Sequence, residues 1–438
     1  MIFGFGKKGD SNESDDEDLE DRELVTFQGA LNGKEVDMMA NARLAQAGLV
    51  PAKELVTDAL HRRAETVKLE VKGDRAQVTL YVDGVAYSGG KMPKPQAVAI
   101  TQMMKLLSGL DVKLRGKTQL GGVKTDYEGQ PYELGVEAAP VADGSERLTI
   151  RARNLKAKLN TMEELGLPAS YKATLREISS KKRGIVLIAG PPGSGITTTM
   201  YAFLRGIDLF MYSAFTTVNM GSREVYNVTK FEPNEGDTPV ATMERMIRSE
   251  ADVIFVDPVN NADAAKAICE VADRVCIMGE MPAKDAAHAI VQLREWAGNP
   301  QQVAELLEGM YSQKLIRTLC TECREAFRPN PKLLTKVGLP PETKVLYKKS
   351  EPQPDPKTGE LPEPCGKCNG VGYIGRAVML ELITGSETIR KLIAEGADAD
   401  KIKAQARSEG MLTLHKDGLR LVAEGKTSLE ELQRVFKG

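Results

Sequence analysis

The spacing of apolar positions changes character along the chain, and the changes mark out its parts. Residues from about Val36 to Arg63 carry apolar side chains at helical intervals (Met39, Leu44, Leu49, Leu55, Ala59 and Leu60), with Pro51 placed to open a second helix. Residues 66–70 and 77–85 then alternate with the period of two of half-buried strands, and Lys72-Gly73-Asp74 and Asp83-Gly84 supply turns. A helix over 96–107, closed by Gly109, and strands over 132–138 and 147–153 complete the pattern. These elements predict a helical segment over 31–63 followed by a small α+β domain over 64–158. From 159 onward the pattern becomes one of short apolar runs, at 184–189, 215–219, 252–257 and 274–278, separated by helical stretches. That arrangement predicts an α/β domain over 159–438 whose parallel sheet is covered on both faces. Within it, 318–376 reads as an insertion with a Pro- and Lys-rich centre, and 381–438 as C-terminal helices. Thr427 and Glu430 have the spacing of a capping box before the last helix.

Charge alters this picture at one end only. Nine of the residues from Asp10 to Glu23 are acidic and only Arg22 is basic, so 1–30 is expected to be a disordered acidic tail. The whole chain carries a net charge of −2, and no stretch combines dense Lys/Arg with aromatics, which argues against a general nucleic-acid binder. No apolar run approaches the roughly 20 residues that span a bilayer, and Met1 to Lys8 lacks the order of a secretory signal. The expected location is cytoplasmic, with peripheral attachment to an inner membrane left open.

The run at 184–189 leads into Gly190-Pro191-Pro192-Gly193-Ser194-Gly195-Ile196-Thr197-Thr198, and then into a helical stretch. Strand, glycine-rich loop and helix are the context of a phosphate-binding loop, in which backbone N–H groups and the helix N-terminus converge on phosphate oxygens. Gly190, Gly193, Ser194, Gly195, Ile196, Thr197 and Thr198 are therefore the candidate nucleotide-binding residues, with the Thr197 hydroxyl placed to meet Mg²⁺. The pattern is complete except at the lysine, where Ile196 stands. A charge-assisted hydrogen bond of that kind contributes about 1.5–3 kcal/mol, and phosphoryl transfer relies on positioned charge. Lys181, Lys182 and Arg183 precede the strand and belong at its other end.

Four of the six cysteines form two Cys-x-x-Cys pairs, Cys320 with Cys323 and Cys365 with Cys368. Four thiolates so spaced point to a structural Zn²⁺ site. Cys269 and Cys276 lie in apolar surroundings and are expected to pack in the core. His61, His288 and His415 are scattered and suggest no ligand set.

Several segments, in order, resemble the type II secretion and type IV pilus assembly ATPase family: 64–70, 81–85, 106–111, 161–167, 313–320, 372–376, 410–414, 417–418 and 425–427. The resemblance runs from Val56 to the C-terminus. It implies a small α+β domain joined to a RecA-like P-loop domain, a four-cysteine zinc knuckle and C-terminal helices. It also implies a six-membered ring, ATP and Mg²⁺ bound between the two domains, and an inner-membrane platform protein as partner.

The chain departs from the family's pattern where that pattern carries charge. The Walker B glutamate position holds Pro258, the acidic box falls at Val218-Asn219-Met220-Gly221, and Pro282 stands at the histidine. Tyr81 and Gly135 stand at or near arginine positions. Asp257, Glu224 and Glu280 are the remaining acidic candidates for catalysis. The expected function is a non-catalytic subunit, structural or regulatory, in a homo- or hetero-hexameric ring. The alternatives are an active motor using Asp257, Thr197 and a cation from a neighbour, and a nucleotide-sensing module without turnover.

Overall fold

In a computed structural model of the full chain, residues 23–141, 144–157 and 159–437 are described, and contacts divide them into two units that meet at 157/158. The first unit runs β1 (Thr26–Ala30), α1 (Ala42–His61), β2 (Thr66–Lys72), β3 (Arg75–Val82), β4 (Val85–Pro93), α2 (Lys94–Leu107), β5 (Gln119–Tyr127), β6 (Gln130–Pro140) and β7 (Glu146–Asn154). Its seven strands form one antiparallel sheet in the order β1-β5-β6-β7-β2-β3-β4. Val67, Leu69, Val78, Leu80, Val123, Leu134 and Ile150 face a core shared with both helices.

Three expectations need correction here. The expected acidic tail runs through residue 30, but β1 pairs with β5, and Val25 and Ala30 are buried, so residues 25–30 belong to the folded unit. Residues 1–22 of the tail lie outside the described residues. The segment 31–63 is a loop followed by one helix, packed into the same core as the strands. Pro51 sits inside α1 instead of opening a second helix. An interior proline forgoes one hydrogen bond, and the burial of Ala52, Leu55, Val56, Ala59 and Leu60 beyond it offsets that loss.

The second unit opens with α3 (Ala169–Ser180), β8 (Gly184–Gly190), α4 (Ile196–Gly206), β9 (Ala214–Thr216), β10 (Val228–Lys230), α5 (Pro239–Arg248), β11 (Val253–Phe255), α6 (Ala262–Val271), β12 (Cys276–Pro282), α7 (Ala286–Ala297) and α8 (Pro300–Leu306). It continues with β13 (Leu307–Leu319), β14 (Glu325–Phe327), α9 (Pro331–Val337), β15 (Leu346–Lys348), β16 (Tyr373–Thr384), α10 (Glu387–Ala394), α11 (Ala399–Ser408), α12 (Leu414–Ala423) and α13 (Leu429–Lys437). The main sheet has the order β10-β9-β11-β12-β8-β13-β16 and is parallel except for its last pair.

Alternation sorts the side chains of this sheet between two helical layers. Ile185, Leu187, Ala189, Ile254, Ile277 and Met281 face the layer that holds α6, α7, α8, α10 and α11. Val186, Ile188, Val253, Phe255, Cys276 and Met278 face the layer of α3 and α4. Every residue of β8 is buried, as a central parallel strand requires.

The long strands β13 and β16 correct the boundaries drawn from sequence. The span 318–376 begins in the last residues of β13 and ends inside β16, and Glu381 to Thr384 are strand, not helix. At the last helix the cap is Ser428, whose hydroxyl accepts from the Glu431 N–H at 3.1 Å, while Thr427 donates to the Arg317 carbonyl at 2.7 Å. Cys269 and Cys276 are buried, and burial pushes their thiols up to about 11 and about 12.

Asp285 caps α7 and makes a charged contact absent from the sequence reading: its carboxylate meets His288 Nδ1 at 2.7 Å and Lys403 Nζ at 2.8 Å. Burial acts to raise its pKa, but the hydrogen bonds from Lys403 and from the backbone and ring of His288 outweigh it and hold the group at about 2. A depressed carboxylate stabilises the fold above its unfolded pKa of about 3.9 and loses that contribution as pH falls through the folded value. Chemical denaturation of this protein should therefore show about 2 kcal/mol lost between about pH 4 and pH 2. Asp285→Asn should flatten that part of the profile.

Candidate nucleotide loop and thiolate site

β8 leaves the sheet at Gly190 and turns tightly, with the Ser194 N–H donating to the Pro191 carbonyl at 3.1 Å. Gly193 and Gly195 both adopt φ +81°, a left-handed conformation that glycine alone enters without strain, and Gly195 is the residue from which α4 starts. The opposing limb is equally constrained. A Cβ on Gly190 would lie 2.3 Å from Ser194 Oγ and 2.9 Å from Ile196 Cγ2. Behind the loop, Gln313 of β13 donates from Nε2 to the Ser194 carbonyl at 2.7 Å. Ser194 is 6% exposed, and among the described residues its Oγ has no hydrogen-bond partner; the same holds for Gln313 Oε1. The likeness of 313–320 to the family says nothing of this contact, which depends on β13 lying beside β8.

The loop candidates differ in their surroundings. Ile196 is half-buried and its side chain packs against the α3–α4 core layer, over Gly190. Thr197 is exposed, and its hydroxyl donates to Glu280 Oε2 at 2.8 Å. Lys181 and Lys182 lie at the opposite end of β8, paired with Glu308 at 2.5 Å and Asp252 at 3.0 Å.

The three acidic candidates are not equivalent. Asp257 follows the end of β11 and is exposed, and Glu224 is exposed just after a 3-10 turn at Gly221–Arg223. Glu280 lies near the end of β12 at 7% exposure and is the one of the three hydrogen-bonded to the loop. Burial raises its carboxyl above the usual carboxylate range, against the opposing pull of the Thr197 hydroxyl and the Arg223 charge. Arg223 had no place in the sequence reading. Its guanidinium lies 5.6 Å from the Tyr201 ring centre on α4. Alternation along β12 was the available signal for Glu280: Cys276 and Met278 face the α4 layer, so two residues on Glu280 does too.

The four cysteines converge at the far ends of β13 and β16, whose antiparallel pairing sets Leu319 opposite Tyr373. The four Sγ atoms all lie within 4.8 Å of one another, with Cys320–Cys365 at 3.9 Å and Cys323–Cys368 at 3.6 Å. A tetrahedral Zn²⁺ with Zn–S bonds of about 2.3 Å has S–S edges of about 3.8 Å, so the thiols fit that ion. The second knuckle turns through Asn369 and Gly370, both at positive φ, and the Gly372 N–H donates to Cys368 Sγ at 3.3 Å. Backbone N–H groups of Cys368 and Lys367 draw the Cys365 thiol down, while burial raises those of Cys323 and Cys368.

The family model of the type II/IV secretion system proteins matches residues 46–434, which spans both units and both candidate sites. The chain belongs to that family. Among its relatives, the type IV pilus assembly ATPase PilB of Thermus thermophilus is 29% identical over 387 residues. That alignment covers 87% of this chain but 42% of the relative, so this chain spans less than half of that protein. The type II secretion system protein E of Pseudomonas aeruginosa is 26% identical over 403 residues, covering 87% of this chain and 74% of that one. The crystal structure of the Legionella pneumophila ATPase DotB matches with a TM-score of 0.55 at 14% identity, over 89% of this chain and 96% of that one. This supports a shared mixed α/β fold. Among the described residues no helix is long and apolar enough to cross a membrane.

Gln313 offers a direct test of how the loop is held. Gln313→Leu leaves the Ser194 carbonyl without its buried donor and should cost about 1–3 kcal/mol in chemical denaturation of the full chain.

Proposed function

We propose that this protein is a subunit of a type II secretion or type IV pilus assembly ring that does not hydrolyse ATP by itself. In this reading nucleotide is held by the backbone of the 190–198 loop and has a structural or regulatory role. The observation that carries it is Ile196: its side chain packs over Gly190 against the core layer, so the loop keeps its glycine turn but lacks its own cation. Backbone N–H groups and the α4 N-terminus attract phosphate, which supports retention. Turnover asks for more charge at the transferred phosphoryl group than they supply.

The names of the relatives, a pilus assembly ATPase and a secretion system protein, supply the setting. By analogy we place the chain in a six-membered ring, homomeric or mixed with an active relative. That ring would lie on the cytoplasmic side against an inner-membrane platform protein. Cys320, Cys323, Cys365 and Cys368 would hold a Zn²⁺ that joins the two knuckles and adds to the stability of the fold.

A second reading, an active motor, is favoured by the Thr197–Glu280 hydrogen bond, because it puts a carboxylate beside the loop after all. Phosphate release by the purified full chain decides between them. No release above background is the expected result, whereas turnover that disappears in Glu280→Gln would establish the motor. Ile196→Lys should tighten nucleotide binding about 10- to 100-fold, the equivalent of 1.5–3 kcal/mol, and no gain would show that the cradle is not preserved.

For the thiols, elemental analysis should find one zinc per chain. Replacing the two less buried ligands together, Cys323→Ser with Cys365→Ser, should abolish the metal and lower the melting temperature. Retention of zinc by that variant would exclude the four-thiolate site.

A further inference from the structure

We propose that the acid serving the divalent cation has moved one strand along the sheet in this chain, to Glu280 on β12, and that with Thr197 it makes nucleotide binding conditional on that cation. The proposal rests on the reading that the loop retains nucleotide. Its ground is the relation of three neighbouring strands. β12 lies between β11 and β8, and β8 leads into the loop. The end of β11 offers Asp257, which is exposed, followed by Pro258, which has no acidic group. One strand nearer to the loop, Glu280 stands opposite Ile188 of β8, two residues before Gly190. Its side chain lies on the same face of the sheet as α4, and the Thr197 hydroxyl closes the distance to 2.8 Å.

Two oxygens so placed have the chemistry of a hard divalent cation such as Mg²⁺ or Mn²⁺. The same carboxylate works against bare phosphate. With no lysine at 196, a nucleotide entering without metal brings its negative charge toward a buried acid. A divalent cation between carboxylate and phosphate reverses the sign of that encounter, and so takes over the neutralisation that the missing ammonium would have given. The loop also has hydrogen-bonding capacity left over. Ser194 Oγ is buried on the inner side of the turn facing Gly190, and among the described residues it has no partner. This second observation marks the turn as built around something besides its own atoms.

The test is titration of the full chain with a fluorescent ADP analogue, in Mg²⁺ and in EDTA. Wild-type protein should bind at least about tenfold more tightly with Mg²⁺. Glu280→Gln, and separately the milder surface change Thr197→Val, should each shrink that ratio to under about threefold, with melting curves confirming that both variants fold. Mn²⁺ titration followed by electron paramagnetic resonance gives a readout free of any turnover: bound Mn²⁺ in the presence of ADP should fall in both variants. Equal affinity with and without Mg²⁺, a ratio unchanged in both variants, or no binding under either condition would overturn the proposal. So would tighter binding by Glu280→Gln in Mg²⁺, which would mark the carboxylate as a plug in the phosphate site. ATP turnover together with metal-dependent binding would overturn the non-hydrolysing reading and leave this one standing. Absent turnover together with metal-independent binding would do the reverse.

Discussion

A parallel sheet covered on both faces leaves polar chemistry few places to go, and this constraint organises the second unit. Along β8 every side chain is buried, with Val186 and Ile188 against one helical layer and Ile185 and Leu187 against the other. A ligand can meet such strands only where they run out of cover, at their ends. The loop at the end of β8, Asp257 beyond β11 and Glu280 near the end of β12 all sit at that kind of edge. The three lysine and arginine residues before Gly184 sit at the other one, where Glu308 and Asp252 engage Lys181 and Lys182.

How much of this could be read from the residues depended on how regular their surroundings are. The run into the phosphate loop was plain, because a fully apolar strand, three glycines and a helix each have a signature. β13 and β16 left no such trace, although they are the longest strands of their sheet. Glu308, Gln313 and Glu381 are buried polar residues that break the apolar alternation, and their partners lie far away in sequence. β5 was missed for the opposite reason: Gly121 and Gly122 and the nearby lysines look like a surface loop, and only pairing with β1 and β6 makes that stretch a strand. Pro51 shows that a local rule yields when enough apolar surface is buried on its far side.

The site was half legible in the same sense. Sequence alone located the loop, named the missing lysine and counted three acids. It could not rank them, because the ranking depends on which strand is neighbour to which. The crossover that inserts β12 between β11 and β8 brings a glutamate 83 residues away within hydrogen-bond reach of Thr197. The cysteine pairs, by contrast, carried their own spacing, and the antiparallel pairing of β13 with β16 needed only to bring them together.

β13 also joins two places that are otherwise unrelated in chemistry. Gln313 grips the carbonyl of the phosphate turn, and seven residues on, Cys320 enters the thiol cluster. At about 3.3 Å per residue those points are roughly 20 Å apart along a backbone that stays extended up to an irregularity between Arg317 and Leu319, just before Cys320. Such a strand is stiff along its length and cannot slip by one position without turning each side chain to the wrong face. It is thus a strut as well as a sheet member: whatever anchors the cluster end also fixes how far the glutamine can retreat from the turn.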